Sequence, residues 1–139
     1  ILELRPESLE RQGLASALRK LAEATQHRHR LIVLAHICNE PAITLEAKQA
    51  FYRIAQEALH NAVKHAHATT LDVTLQTAPD AVTLSVADDG AGFDPSASFP
   101  GHLGLRSMRE RIMRLGGNLN ITSAPGQGTT VRATLPIPG

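Results

Sequence analysis

Two pairs of runs with apolar residues at every second position constrain this chain more than any other feature. "TLDVTLQT", residues 70–77, and "AVTLSVAD", residues 81–88, alternate and are joined at "APD". "GGNLNITS" and "GTTVRATLP" form a second such pair around "APGQG". Alternation at period two places one side of a strand on a core and the other in water. Short turn-rich connections between such runs make β-hairpins, and the apolar face of the resulting sheet has to be covered.

The cover is expected to be helical. Thr44 is placed to cap a long helix with Glu46 in its first turn, running to about Ala66. Phe51, Ile54, Ala55, Ala58, Leu59, Ala62 and Ala66 form one apolar stripe on it. Pro6 to Thr25 reads as another helix, with Leu14, Leu18, Leu21 and Ala22 at helical spacing. A third spans about Leu105 to Leu115, with Leu105, Met108, Ile112 and Leu115 apolar. "HRHR", residues 27–30, reads as a polar turn, either a solvated loop or a phosphate-contacting patch, and "LIVLAH" as a strand. Helices and antiparallel hairpins together predict an α+β class, a two-layer α/β sandwich.

A chain of 139 residues with 42% hydrophobic content is long enough for one core without a metal or disulfide staple. Cys38 is the single cysteine, which excludes an internal disulfide and fits a reducing compartment. Its apolar neighbours favour a packed thiol over a reactive one. A net charge of +1 and an aromatic content of 3% argue against nucleic acid and anionic membrane as partners. No apolar run reaches the roughly 18 residues of a membrane span, and no secretory signal is visible. The first residues, "ILELRPESLE", lack an initiator Met, so a piece of a longer protein is expected.

On the long helix, Arg53, Glu57, His60, Asn61 and Lys64 fall in a stripe opposite the apolar one. Any amphipathic helix has a polar face, but this set carries chemistry. An Asn amide oxygen suits a hard cation such as Mg²⁺, a Lys neutralises phosphate, and a Glu can orient water or act as a base. His60, His65 and His67 lack the i, i+4 spacing of a helical zinc pair.

"DDGAGFD", residues 88–94, follows a strand and fits none of the common glycine-and-acid sites. The P-loop pattern is absent, Pro95 stands where a dinucleotide fingerprint needs its third Gly, and, counted from Asp89, Pro100 stands where an EF-hand needs its closing Glu. What remains is an acid at a strand end that can accept from an amine, with Gly90 and Gly92 leaving room for a flat ring. "PGHLGL", residues 100–105, places two glycines before a helix, where free amides favour anions. "GQGTT", residues 126–130, adds a third glycine turn.

In this order the segments resemble a known family. "FYRIAQEALHNAVKHAHA" is similar to the N box, "DDGAGFD" to the G1 box, "GHLGLRSMRERI" to the G2 box and "GQGTTVRATLP" to the closing segment of the GHKL ATPases. "QEALHNAVKHA", "GLRSMRERI" and "LGG" resemble the catalytic domain of sensor histidine kinases of the nitrate-sensor type. The resemblance covers about Leu31 to Pro138, and "LRPESLERQGLASALRKL" resembles the end of that subgroup's dimerisation region. It implies a domain division at 1–26 and 27–139. It also implies the Bergerat fold, a mixed, mostly antiparallel sheet packed against about three helices, with ATP and Mg²⁺ as the bound groups.

Carried over, Asp88 bonds the adenine amine while Gly90 and Gly92 shape the wall beneath the base. By the same resemblance Asn61 is expected to hold Mg²⁺, Lys64 to contact phosphate, and His65 to add a ribose or phosphate contact. Gly101, His102, Leu103 and Gly104 are expected to hinge the lid and present amides to the phosphates, and Thr129 to sit near the base or its ordered water. Glu57 occupies the acidic position that activates water in ATP-hydrolysing relatives; in the kinase subgroup the proton goes instead to an acid beside the target histidine. Phe93 to Pro100 is expected to be the mobile lid.

The implied activity is transfer of the γ-phosphoryl group to a histidine on an upstream dimerisation domain of a homodimer, for relay to an aspartate of a response regulator. None of the seven His here is followed by an acid, as the subgroup's acceptor is, so the acceptor is expected upstream. The implied setting is a cytoplasmic domain of a protein that can be membrane-anchored, without direct membrane contact of its own. Rival readings are another GHKL hydrolase, a serine kinase acting on an anti-sigma partner, or a nucleotide-sensing module without chemistry.

Overall fold

The computed structural model describes residues 6–94, 96 and 102–137, with Pro6 and His102 described by backbone alone. The elements in chain order are α1 (Pro6–Gln12), α2 (Leu14–His29), β1 (Ile32–Ile37), α3 (Leu45–Lys64), β2 (Thr70–Ala78), β3 (Ala81–Asp88), α4 (His102–Arg114), β4 (Asn118–Ser123) and β5 (Thr129–Pro136). The five strands form one sheet in the order β1-β2-β3-β5-β4. β1 runs parallel to β2, and the other pairs are antiparallel. A parallel pair needs a crossover, and α3 supplies it between β1 and β2. The α+β sandwich and its mixed, mostly antiparallel sheet are therefore present.

The alternation works as the sequence implies. Leu71, Val73 and Leu75 of β2, Val82, Leu84 and Val86 of β3, and Val131, Ala133 and Leu135 of β5 are all buried. They meet Phe51, Ile54, Ala55, Ala58, Leu59 and Ala62 of α3 in one hydrophobic cluster. Thr44 caps α3 by accepting from the backbone N–H of Ala47 at 3.1 Å. Helix α3 ends at Lys64, two positions earlier than its apolar stripe suggests, and α4 begins at His102, before the expected Leu105.

The N-terminal region differs from the single helix expected. Gly13, at φ +84, separates α1 from α2. Helix α2 then continues through His27, Arg28 and His29, so the expected polar turn is the last turn of a helix that closes at Arg30 in a left-handed conformation. Cationic side chains at a helix C-terminus oppose the macrodipole's negative end, which is why a charged tetrapeptide is compatible with helix here. Four helices, rather than about three, are thus present among the described residues. Leu9 of α1 and Leu14, Leu18 and Leu21 of α2 belong to the same core cluster as the sheet.

Gly13 cannot cap α2 through a side chain. The orphan amides of Leu14 and Ala15 donate instead to the Glu40 carboxylate, at 2.8 and 2.7 Å. Lys48 of α3 pairs with the same carboxylate at 2.8 Å. Burial pushes the Glu40 carboxyl up, but the two amides and the Lys48 ammonium outweigh it and hold it below its ordinary value.

Candidate functional site

The site grows from the row of the sheet where the apolar pattern gives out. Leu71, Asp88, Thr129 and Ser123 are successive partners across β2, β3, β5 and β4. Side chains in one row of paired strands share a face. The next row in, Val73, Val86, Val131 and Ile121, is apolar and packs in or against the core. The outer row thus carries a carboxylate and two hydroxyls on the helix-facing side. The C-terminal half of α3 crosses above it and encloses a cavity of about 60 Å³. Asn61 and His65 of α3, Asp88, Gly92 and Phe93, Leu105 of α4, and Thr129 line the cavity, with apolar walls from Ala58, Ala62, Val86 and Val131.

Burial pushes the Asp88 carboxyl up, and the nearby negative charge of Asp89 adds to this. The backbone amides of Gly90 and Thr129 act in the opposite direction, with Gly90 N–H donating to Oδ1 at 2.8 Å. Asn61 is the counterpart across the cavity. Both its amide nitrogen and its amide oxygen are buried without a partner. Such a group costs about 1–3 kcal/mol unless something completes it, and here it faces a cavity that also holds an acid.

Asp89, one residue on, does unrelated work. Its carboxylate accepts from the Thr69 and Thr70 amides at 2.8 and 3.0 Å and from the Thr69 hydroxyl at 2.6 Å. The Thr69 hydroxyl, then these two amides, hold its pKa down to about 2. Asp94 accepts from the Ser96 hydroxyl and amide, which also lowers its pKa.

The glycines also have a packing role that the sequence does not suggest. A Cβ on Gly90 would lie 2.6 Å from both Cβ and O of Ala66. On Gly92, at φ +69, it would collide with the Ala124 carbonyl, and on Gly128, at φ +74, with the Asp88 carbonyl. The chain needs glycine at these points so that its own backbones can approach each other. Of Gly90 and Gly92, only Gly92 also lines the cavity.

The polar stripe of α3 divides between two spaces. Asn61 and His65 face the cavity, whereas Glu57, Lys64, Arg53 and His60 line a neighbouring groove of about 830 Å³ along the same polar stripe. His27, Arg28 and His29 of α2 and Met108 of α4 also line that groove. The larger space therefore holds the cations and Glu57, while the smaller one holds the acid at the strand end. Gly104 lies against Glu57. Leu103 is 78% exposed and lines neither space. Gly101 and most of the expected lid lie outside the described residues, and of His102 only the backbone is described.

Sequence reasoning missed Ser123. Its hydroxyl accepts from Phe93 N–H at 2.9 Å, donates to the Gly128 carbonyl at 3.1 Å, and lies 2.9 Å from the Thr129 hydroxyl. The alternation of Leu119, Ile121 and Ser123 was the available signal. Its meaning depends on the register that pairs Ser123 with Thr129.

The family model described as "Histidine kinase-, DNA gyrase B-, and HSP90-like ATPase" matches residues 46–139. The chain is 33% identical over 138 residues to the signal transduction histidine-protein kinase/phosphatase DegS of Brevibacillus brevis, covering 99% of this chain and 36% of that protein. It is 37% identical over 127 residues to the nitrate/nitrite sensor protein NarQ of Escherichia coli K12, covering 89% of this chain and 22% of that protein. Among solved structures, the histidine kinase domain of a blue-light activated histidine kinase from Erythrobacter litoralis superposes with a TM-score of 0.74 at 25% identity. That match covers 88% of this chain and 64% of the solved one. The chain thus corresponds to one part of longer curated relatives.

Proposed function

Because the chain belongs to the histidine kinase-, DNA gyrase B- and HSP90-like ATPase family, and matches the catalytic ATP-binding part of sensor histidine kinases, we propose that the cavity between α3 and the outer sheet row takes the adenine of ATP. Asp88 accepts from the 6-amino group, and the apolar walls receive the ring faces. A volume of about 60 Å³ is less than a purine occupies, so Phe93 and Leu105, which help to line it, move outward when a base enters. The observation that carries this reading is the doubly unpartnered Asn61 amide facing the same cavity as Asp88.

The same amide supports a divalent cation. An amide oxygen suits Mg²⁺, which otherwise retains waters and phosphate oxygens. Among the described residues no cluster of three His, Cys, Asp or Glu could hold a metal ion alone, so phosphate oxygens complete the set. When bound, Mg²⁺ neutralises phosphate charge.

Lys64 and His65, at the C-terminal end of α3, flank Asn61 and hold the phosphate and ribose end. Gly101, His102, Leu103 and Gly104 provide the backbone that closes over the phosphates. Glu57, on the groove side of α3, orients the attacking group or takes its proton. Catalysis is then mostly positioning and charge stabilisation.

The γ-phosphoryl group passes to a histidine on an upstream dimerisation domain, within a homodimer, and on to a response-regulator aspartate. Residues 1–26 lead in from that domain while Leu9, Leu14, Leu18 and Leu21 pack into the core of residues 27–139, and the whole catalytic part lies on the cytoplasmic side of a parent that can be anchored. Among the described residues no helix is long and apolar enough to cross a membrane.

The deciding experiment is a calorimetric titration with Mg²⁺ and a non-hydrolysable ATP analogue, alongside GTP and an Asp88→Ala variant. Adenine-selective binding that the variant loses is expected. No binding by folded wild type would overturn the assignment. Phosphotransfer to a supplied acceptor domain should vanish in Asn61→Ala, and normal transfer by that variant would remove Asn61 from the mechanism.

A further inference from the structure

Ser123 has one proton, and its surroundings decide where that proton goes. The Phe93 N–H donates to the Ser123 oxygen, so that contact consumes no hydroxyl proton. The Gly128 carbonyl can only accept, so Ser123 donates its proton there. The remaining contact, 2.9 Å to the Thr129 hydroxyl, must then be made with the Thr129 proton. Thr129 is left with oxygen lone pairs and no free donor. It lines the cavity directly across the strand pair from Asp88, which is itself an acceptor.

We propose that Ser123 is a specificity-determining positioning residue: by taking the Thr129 proton, it makes the base-reading end of the cavity a wall of acceptors only. This rests on the adenine reading above. A 6-amino group offers two donors to such a wall. A 6-oxo group, although its base gains an N1–H donor, brings another acceptor to position 6 and finds no partner there, so a buried acceptor is left unpaired. Ser123 touches no base. It acts through Thr129, and its oxygen also accepts the backbone N–H of Phe93, a lining residue of the cavity.

The test compares ATP with inosine triphosphate, whose purine carries the 6-oxo group and an N1–H without the extra 2-amino group of guanine; the N1 change is common to every variant, so the difference between variants reads the contact at position 6. Dissociation constants are measured calorimetrically with Mg²⁺ for wild type, Ser123→Ala, Ser123→Thr, Thr129→Val and the Ser123→Ala/Thr129→Val double variant. In Ser123→Ala the Thr129 proton is released and can turn to the 6-oxo group, so the preference for ATP should fall about tenfold, a change worth one hydrogen bond. Ser123→Thr keeps the hydroxyl and should keep the preference.

In the Thr129→Val background, Ser123→Ala should add nothing to the base preference. An equal weakening of both nucleotides in Ser123→Ala would show a structural role only and overturn the proposal. So would an unchanged preference, or the same fall in the Thr129→Val background. Wild type that binds neither nucleotide, or both alike, would overturn the adenine reading itself, a result distinct from the others.

Discussion

Gly104 of α4 rests directly on the carboxylate of Glu57 of α3, so a Cβ at Gly104 would fall on Glu57 Oε1. The atom displaced would be the end of a flexible side chain. Gly104→Ala should therefore leave the fold intact, with stability unchanged or raised by up to about 1 kcal/mol from helix propensity. It should nevertheless turn the Glu57 carboxylate away. Phosphotransfer should drop as it does in Glu57→Gln, and the double variant should be no worse than either single one. Additive losses in single-turnover rates would show that the two residues act separately.

Asn61 should trade stability for function. Both ends of its amide are buried and unpartnered, so Asn61→Leu, similar in volume, should raise the stability of the nucleotide-free protein by about 1 kcal/mol. Binding of Mg²⁺ and nucleotide should be lost together. Urea unfolding with and without Mg·ATP checks both halves, since wild type should gain stability from the ligand and the variant should not.

Asp88 and Asp89 should separate cleanly. Asp89 is held at about 2, below its ordinary 3.8, so its contribution is present above the ordinary value and fades as pH falls from about 4 towards 2. Asp89→Asn should lower stability at neutral pH, flatten that acid dependence and spare ATP binding. Asp88 has the opposite sign, because its folded pKa is raised. Its contribution favours the fold at low pH and is lost as pH rises through that value. Asp88→Asn should therefore bind ATP poorly without loss of stability at neutral pH. Denaturant midpoints and ATP titrations across pH read out the two residues independently.

Glu40 should behave as a helix cap supplied from a distance. Its two amide bonds to the start of α2 and its pairing with Lys48 predict that Glu40→Ala costs about 1 kcal/mol or somewhat more. The folded pKa is lowered, so in wild type this stabilisation is lost as pH falls below the ordinary 4.5. A double-mutant cycle with Lys48→Met should show coupling between the two positions, and strict additivity would argue against the shared contact.

The sequence by itself determined whatever repeats at short range. Strands β2 to β5 followed from period-two alternation and α3 from its apolar stripe with Thr44 as cap. Asn61, Asp88 and Thr129 stood out because the residue types suit a cation, an amine and a glycine turn, and the ordered motifs named the family. Tertiary structure decided what depends on pairing distant segments. Strand register set Ser123, Thr129 and Asp88 in one row, which no local pattern specifies. The break at Gly13 depends on Glu40, 26 positions from Leu14, because the new helix start needs an acceptor that its own cap lacks. The divergent tasks of Asp88 and Asp89 follow from alternation at the strand end: one carboxylate turns into the cavity, and the other reaches the amides that open β2. A side chain's neighbours across a sheet are fixed only when the strands pair, so that level of the site became legible only in three dimensions.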